Sequence, residues 1–282
     1  MAKKILIIGN GFMGTRCAGA WPDAVLSGKI ITSVKDAEDL LDEHKPDSVL
    51  NAAGITGKPN VDWCETHQLE TMFGNTVLPI MLAEACQKKN VYLLHMGSGC
   101  VFYGESPDPK GWKESDFANP SAVYSRAKYA ADLVLSTLPN VGIGRIRMPI
   151  DYISSPGNLI DKLASYKKVI DVENSVTVLE DMIHVFAQLL EKQATGIFHV
   201  TNPGTLKHKE LIALYKEYVD PNHANEWITE EELVTTGLAK KLRSNNFLQS
   251  ENLEKLGIHM RPIKEAVVDT MKKYAALKKA SN

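Results

Sequence analysis

The chain has 282 residues, 44% of them hydrophobic and 23% charged, which is ordinary for a soluble globular enzyme and enough for one large core or two modest ones. Its 32 basic and 34 acidic residues leave a formal charge of -2, so nothing draws it broadly to nucleic acid or a membrane surface, and an anionic ligand must be held by local groups. Cys17, Cys64, Cys86 and Cys100 form no CxxC pair and the eight histidines no metal-ligand spacing, which excludes a zinc site or disulfide framework from the reading and leaves the histidines without assigned chemistry.

The start, Met1-Ala2-Lys3-Lys4, leads into an apolar run that ends at Gly9, too short for a secretory segment or a membrane span. The expectation is a cytosolic protein with reduced thiols. Residues 5–8 are a β-branched-rich run closed by glycines, as a parallel strand buried on both faces requires. Further strands are predicted at 24–26, 48–51, 91–96 and 142–147. Residues 34–44, 69–89 and 122–138 carry apolar positions at three- and four-residue spacing and are predicted helices. Strand alternating with helix implies an α/β fold of the Rossmann type, a doubly wound parallel sheet. After Met148-Pro149 the alternation loosens. Residues 154–157 form a loop, 195–200 read as a late strand returning to the sheet, and helices and loops follow from Thr205. The expected organisation is a nucleotide-binding domain over 1–150 with a returning segment near 175–202. A smaller substrate domain takes 151–174 and 203–282.

Gly9-Asn10-Gly11-Phe12-Met13-Gly14 follows a predicted strand and opens a predicted helix, the context in which GxGxxG lets backbone approach a pyrophosphate. The same glycines would also serve a plain turn. Where an NAD enzyme carries a carboxylate for the ribose 2′-hydroxyl, this chain reads Leu26-Ser27-Gly28-Lys29. A hydroxyl and a cation suit a 2′-phosphate, so Ser27 and Lys29 point to NADPH, although Lys29 is also what a solvated surface lysine looks like. Asn51-Ala52-Ala53-Gly54 ends a core strand with small residues that let a flat cofactor lie against backbone, or simply make a tight turn. Tyr124 and Lys128, four apart, share one helical face, where the ammonium is expected to lower the phenol pKa, and Ser98 lies upstream. YxxxK alone arises by chance; behind the other motifs, in this order, coincidence is a poor account.

The order GxGxxG, NAAG, Ser, YxxxK resembles the extended short-chain dehydrogenase/reductases over nearly the whole chain. More closely it is similar to the 4-keto-6-deoxysugar nucleotide reductases, the group of dTDP-4-dehydrorhamnose reductase. In particular it resembles the bifunctional UDP-4-keto-6-deoxyglucose 3,5-epimerase/4-reductases of UDP-rhamnose synthesis. The runs that carry this are NAAGITGKPNVDWCE at 51–65, RIRMPI at 145–150, TNPG at 201–204 and RSNN at 243–246. One departure is the phosphate loop, where the family usually has two residues between the first two glycines and this chain has only Asn10.

The resemblance implies cofactor contacts from Gly9, Gly11, Phe12, Met13, Gly14, Ser27, Lys29, Ala52, Ala53, Gly54, Tyr124 and Lys128. It also implies a Ser98, Tyr124, Lys128 reduction centre. Cys100 stands where simple reductases of the group carry an aromatic residue, and it resembles one half of an epimerase acid/base pair whose other half is Lys162. Without the resemblance, Cys100 reads as a buried structural thiol and Lys162 as a surface cation. Arg243 resembles an arginine that contacts the nucleotide diphosphate, and Asn158 is a further candidate near the substrate. The implied product is UDP-L-rhamnose or dTDP-L-rhamnose, made by a homodimer. The rivals are a reductase alone and a non-catalytic NADP-binding regulatory subunit, like the one that accompanies methionine adenosyltransferase.

Overall fold

A computed structural model describes residues 4–58, 60–241 and 243–280; Pro59, inside the 51–65 run, lies outside the described residues, as do Met1, Ala2 and Lys3 of the start. The first half alternates as expected. Strand β1 (Ile5–Ile8) is followed by α1 (Phe12–Ala20), β2 (Val25–Ser27), α2 (Val34–His44) and β3 (Ser48–Asn51). Helix α2 begins at a capping box: Asp36 N–H donates to Ser33 Oγ at 3.1 Å, and Ser33 N–H donates back to the Asp36 carboxylate at 3.0 Å. A 3₁₀ turn (Val61–Glu65) leads to α3 (Gln68–Met72), a π turn (Phe73–Val77) and α4 (Leu78–Lys88), so the helix predicted over 69–89 is interrupted by a widened turn. Strand β4 (Tyr92–Ser98), a 3₁₀ turn (Gly99–Val101), α5 (Val123–Leu135) and β5 (Val141–Ile146) complete this half.

The second half holds β6 (Pro149–Ile150), α6 (Leu159–Ser165), β7 (Lys168–Ile170), β8 (Glu173–Asn174), β9 (Thr177–Val178), α7 (Leu179–Lys192) and β10 (Gly196–His199). It ends with β11 (Leu206–Lys207), α8 (His208–Tyr218), β12 (Glu226–Ile228), α9 (Glu230–Thr235), α10 (Glu251–Lys255) and α11 (Ile263–Ala280). Six of these short strands, β6 with β9, β7 with β12 and β8 with β11, pair two by two. At two or three residues each they are too short to show alternation in sequence.

The chain divides into two compact units. The first comprises Met1–Val101, Ala118–Arg145 and Val185–Phe198, and the second Phe102–Phe117, Ile146–His184 and His199–Asn282. The first contains a six-stranded sheet in the order β10-β5-β4-β3-β1-β2, with β2, β1, β3 and β4 parallel neighbours. Leu6, Ile8, Val49, Leu93, Val141 and Ile143 of its strands are buried beneath Leu40, Leu82 and Leu135 of the covering helices. Because β2 and β3 flank β1 on opposite sides, the sheet has its switch point there, and ligands of such folds bind outside the carboxyl ends of the strands at that point. The register pairs Ile8 with both Ser27 and Asn51, and Asn51 with His95, so β1, β2 and β3 end at one level while β4 runs three residues further, to Ser98. The second unit has its own core, with Ile150, Leu163, Val178, Tyr215, Val267 and Met271 at its centre. Among the described residues no helix is long and apolar enough to cross a membrane.

Candidate active site

The loop after β1 is shaped by close backbone approaches. Gly9 sits at φ 101°, and a Cβ on it would lie 2.6 Å from Ala53 N, so the loops after β1 and β3 touch at a place only glycine allows. A Cβ on Gly14 would lie 1.9 Å from Gly9 O, which packs the start of α1 onto the loop despite the shortened spacing at Asn10. Gly11, the N-cap of α1, instead faces open space, with nothing within 4 Å of where its Cβ would be. No side chain caps this helix, and the N–H groups of Phe12, Met13 and Gly14 in its first turn have no intrahelical acceptor. That is a cradle suited to a phosphate. At the end of β2, Gly9 N–H donates to Ser27 O at 2.9 Å, and Ser27 Oγ accepts Lys29 N–H at 3.2 Å, leaving the Lys29 side chain exposed. These groups fit a nucleotide that carries a 2′-phosphate.

The segments after β3 and β4 meet α5. Lys128 is buried and donates to Met96 O at 3.2 Å, and a Cβ on Gly54 would lie 3.3 Å from Lys128 Nζ. The NAAG turn and the YxxxK face are thus brought into contact. Ser98, the last residue of β4, hydrogen-bonds the Tyr124 phenol, and its Oγ accepts Cys100 N–H at 3.2 Å. Cys100 is half-buried, whereas Cys17, Cys64 and Cys86 are buried, so it is the accessible thiol of the four.

The expected tuning of Tyr124 by Lys128 is corrected by the geometry. Burial pushes the Tyr124 phenol well above its ordinary value, the neighbouring Cys100 pushes it the same way, and the Ser98 hydrogen bond pulls it down. Lys128 is itself lowered from 10.5 to about 8 by burial, against the pull of Asp132. Desolvation outweighs the charge pairing that spacing alone suggested. The phenol is consequently protonated at neutral pH, the state a proton donor needs.

Several supporting residues have no motif of their own. Asn75, buried in the π turn, accepts Ile55 N–H at 3.1 Å and donates to Ile55 O at 2.7 Å, fastening the segment beyond Gly54; π turns of this kind occur often at functional sites. Asp132, one turn beyond Lys128, pairs with Arg145 at 2.8 Å, both buried. His95 lies beneath, its Nδ1 accepting from Asn51 Nδ2 at 3.0 Å; burial, reinforced by the Lys128 charge, holds its pKa well below the ordinary 6.5.

Lys162, Asn158 and Arg243 belong to the second unit. Lys162 is half-buried in α6. Asn158 is a correction: its Oδ1 accepts Ile160 N–H at 3.1 Å and Asp151 N–H at 3.3 Å, and its Nδ2 donates to Asp151 O and Ile153 O. One bond caps α6 and the other three hold Asp151 and Ile153, so all four hydrogen-bonding positions of the amide are used, leaving none for a substrate. Arg243 is half-buried beside a stretch fixed by Arg147, a residue sequence reasoning passed over. The buried Arg147 guanidinium donates to Ser244 O at 2.8 Å, to Ser244 Oγ at 3.2 Å and to Asn174 Oδ1.

Both the sequence and the fold are similar to those of known proteins. The chain is 36% identical over 234 residues to the bifunctional dTDP-4-dehydrorhamnose 3,5-epimerase/dTDP-4-dehydrorhamnose reductase of Arabidopsis thaliana, covering 81% of this chain and 77% of that protein. The crystal structure of a UDP-rhamnose synthase from Acanthamoeba polyphaga mimivirus superposes with a TM-score of 0.88 at 30% identity, over 97% of this chain and 100% of that one. A dTDP-4-dehydrorhamnose reductase from Bacillus anthracis, solved in complex with NADP, shares the fold with a TM-score of 0.82 at 18% identity, over 96% and 98% of the two chains. Residues 27–276 match the family described as the RmlD substrate binding domain, and the chain belongs to that family.

Proposed function

We propose that this protein reduces the C4 ketone of a nucleotide-linked 4-keto-6-deoxyhexose with NADPH, after inverting C3 and C5, to give UDP-L-rhamnose or dTDP-L-rhamnose. The observation that carries the reading is the cluster in which Ser98 joins the Tyr124 phenol to the backbone of the accessible Cys100, with Lys128 one helical turn away. The phosphate cradle at α1 with Ser27 and Lys29, and the NADP complex of the B. anthracis relative, support the choice of cofactor.

The C4 ketone acidifies the hydrogens on C3 and C5. At each centre in turn Cys100, as its thiolate, accepts the proton and afterwards passes it to water, while Ser98 and Tyr124 hydrogen-bond the oxygen on which the negative charge collects. Lys162, assigned by resemblance, gives a proton to the opposite face and regains one from water, so each centre is inverted. When bound, NADPH supplies the hydride that becomes the hydrogen on C4. Tyr124 then gives its phenolic proton to the new alkoxide, and Lys128 holds the nicotinamide ribose.

The test is to offer UDP- and dTDP-4-keto-6-deoxyglucose with NADPH in heavy water. Rhamnose-configured product with deuterium at C3 and C5 is expected. Reduced but uninverted sugar would leave a reductase alone, and absence of NADPH oxidation with every such sugar, in either configuration, would leave a non-catalytic NADP-binding subunit.

A further inference from the structure

Helix α5 carries both Tyr124 and Lys128, yet its N-cap is Ala122, which has no side chain able to cap it. The first N–H of the helix, on Val123, donates instead to Glu65 Oε1 at 2.8 Å, from 58 residues earlier in the chain. Glu65 ends a 3₁₀ turn that is itself held. Asn60 Oδ1 accepts Asp62 N–H at 2.8 Å, and Trp63 stacks on His67 with ring centroids 3.7 Å apart and planes 8° from parallel. A second bond reaches the helix from the π turn, where Thr76 Oγ1 donates to Ala127 O at 2.7 Å. The two bonds fall on the residues immediately before Tyr124 and Lys128. A carboxylate at a helix N-terminus also meets the positive end of the helix dipole.

We propose that Glu65 is a positioning residue for reduction, its carboxylate capping α5 at Val123 while Thr76 pins the next turn, so that Tyr124 is held against Ser98. This rests on the reading that Tyr124 is the proton donor. Glu65 touches neither reacting group in this account and acts through the helix.

The full chain carrying Glu65→Ala, Glu65→Gln or Thr76→Val tests it. For E65A, kcat for reduction is expected to fall about 10- to 100-fold, the scale of a displaced catalytic group, with KM for NADPH and sugar within about twofold. E65Q keeps an acceptor for Val123 N–H and should recover most of that loss, and T76V should lower kcat in the same direction. Amide exchange at Val123 gives a readout independent of turnover, expected about tenfold faster in E65A and near wild-type in E65Q. A folded E65A with unchanged kcat, an E65Q no better than E65A, or unchanged Val123 exchange would overturn the proposal. If wild-type enzyme reduces no keto-sugar offered, the proposed function falls, and amide exchange alone then decides whether Glu65 holds the helix.

Discussion

Lys128 is held at a measurable thermodynamic cost. It is buried, and its pKa in the folded enzyme is about 8 against an ordinary 10.5, so below pH 8 the native state keeps a charged ammonium out of water that the unfolded chain solvates freely. The shift corresponds to about 3 kcal/mol of stability withheld at neutral pH. The sign follows from proton counting: between pH 8 and 10.5 the unfolded chain binds the proton and the folded one does not, so stability rises there by up to about 1.4 kcal/mol per pH unit. The buried thiols oppose it at higher pH, Cys64 among them, since burial raises it too. Cys17 and Cys86 are pushed up from 9.0 to about 12 by burial, so above pH 9 the unfolded chain loses protons that the folded chain keeps, and stability falls. Reduced wild-type enzyme should therefore gain stability from pH 7 to about 9 and lose it beyond. Lys128→Met removes the cost along with the 3.2 Å bond to Met96 O, so it should be about 2 kcal/mol more stable than wild type at pH 7 and show no rise toward pH 9. Urea unfolding at a series of pH values, with reductant and without nucleotide, measures both. A wild-type midpoint flat or falling between pH 7 and 9, or a Lys128→Met variant less stable at pH 7, would refute the reasoning.

Cys100→Ala should abolish deuterium exchange at C3 and C5 yet still oxidise NADPH with the 4-keto-rhamnose nucleotide, and Lys162→Ala should exchange without completing inversion; inverted product from Cys100→Ala would return the thiol to a packing role. Tyr124→Phe should lower reduction by about 10²- to 10⁴-fold, read as NADPH turnover. Lys29→Ala should weaken NADPH binding while leaving NADH unchanged in a titration of the free protein, because only the 2′-phosphate gives the exposed ammonium an anion to meet. Leu69, Phe73 and Val77 are 84%, 39% and 41% exposed at four-residue intervals along the α3, π and α4 run, so light scattering should report a homodimer that Phe73→Glu dissociates.

Sequence by itself determined the alternating sheet, the glycine loops and the Tyr124 to Lys128 face. These depend on local facts: apolar runs that bury on both sides, a glycine with nothing to clash, and a helical spacing of four. The boundaries of α2 and of the strands at Ile5–Ile8 and Ser48–Asn51 agree to the residue, because a cap or a polar turn closes each. The π turn stayed hidden, since one widened turn barely disturbs an apolar period. Tertiary structure decided what surrounds the motifs. The partners of Asn75, Glu65 and Arg147 lie 20, 58 and 97 residues away, and no spacing rule reaches that far. It also reversed the electrostatics of the centre, because spacing shows that a lysine follows a tyrosine by one turn, whereas the water each has lost depends on what packs over it. Asn158 shows the same limit from the other side. The family resemblance offers Asn158 as a candidate near the substrate, whereas folding brings Asp151, Ile153 and Ile160 around its amide and uses all of it.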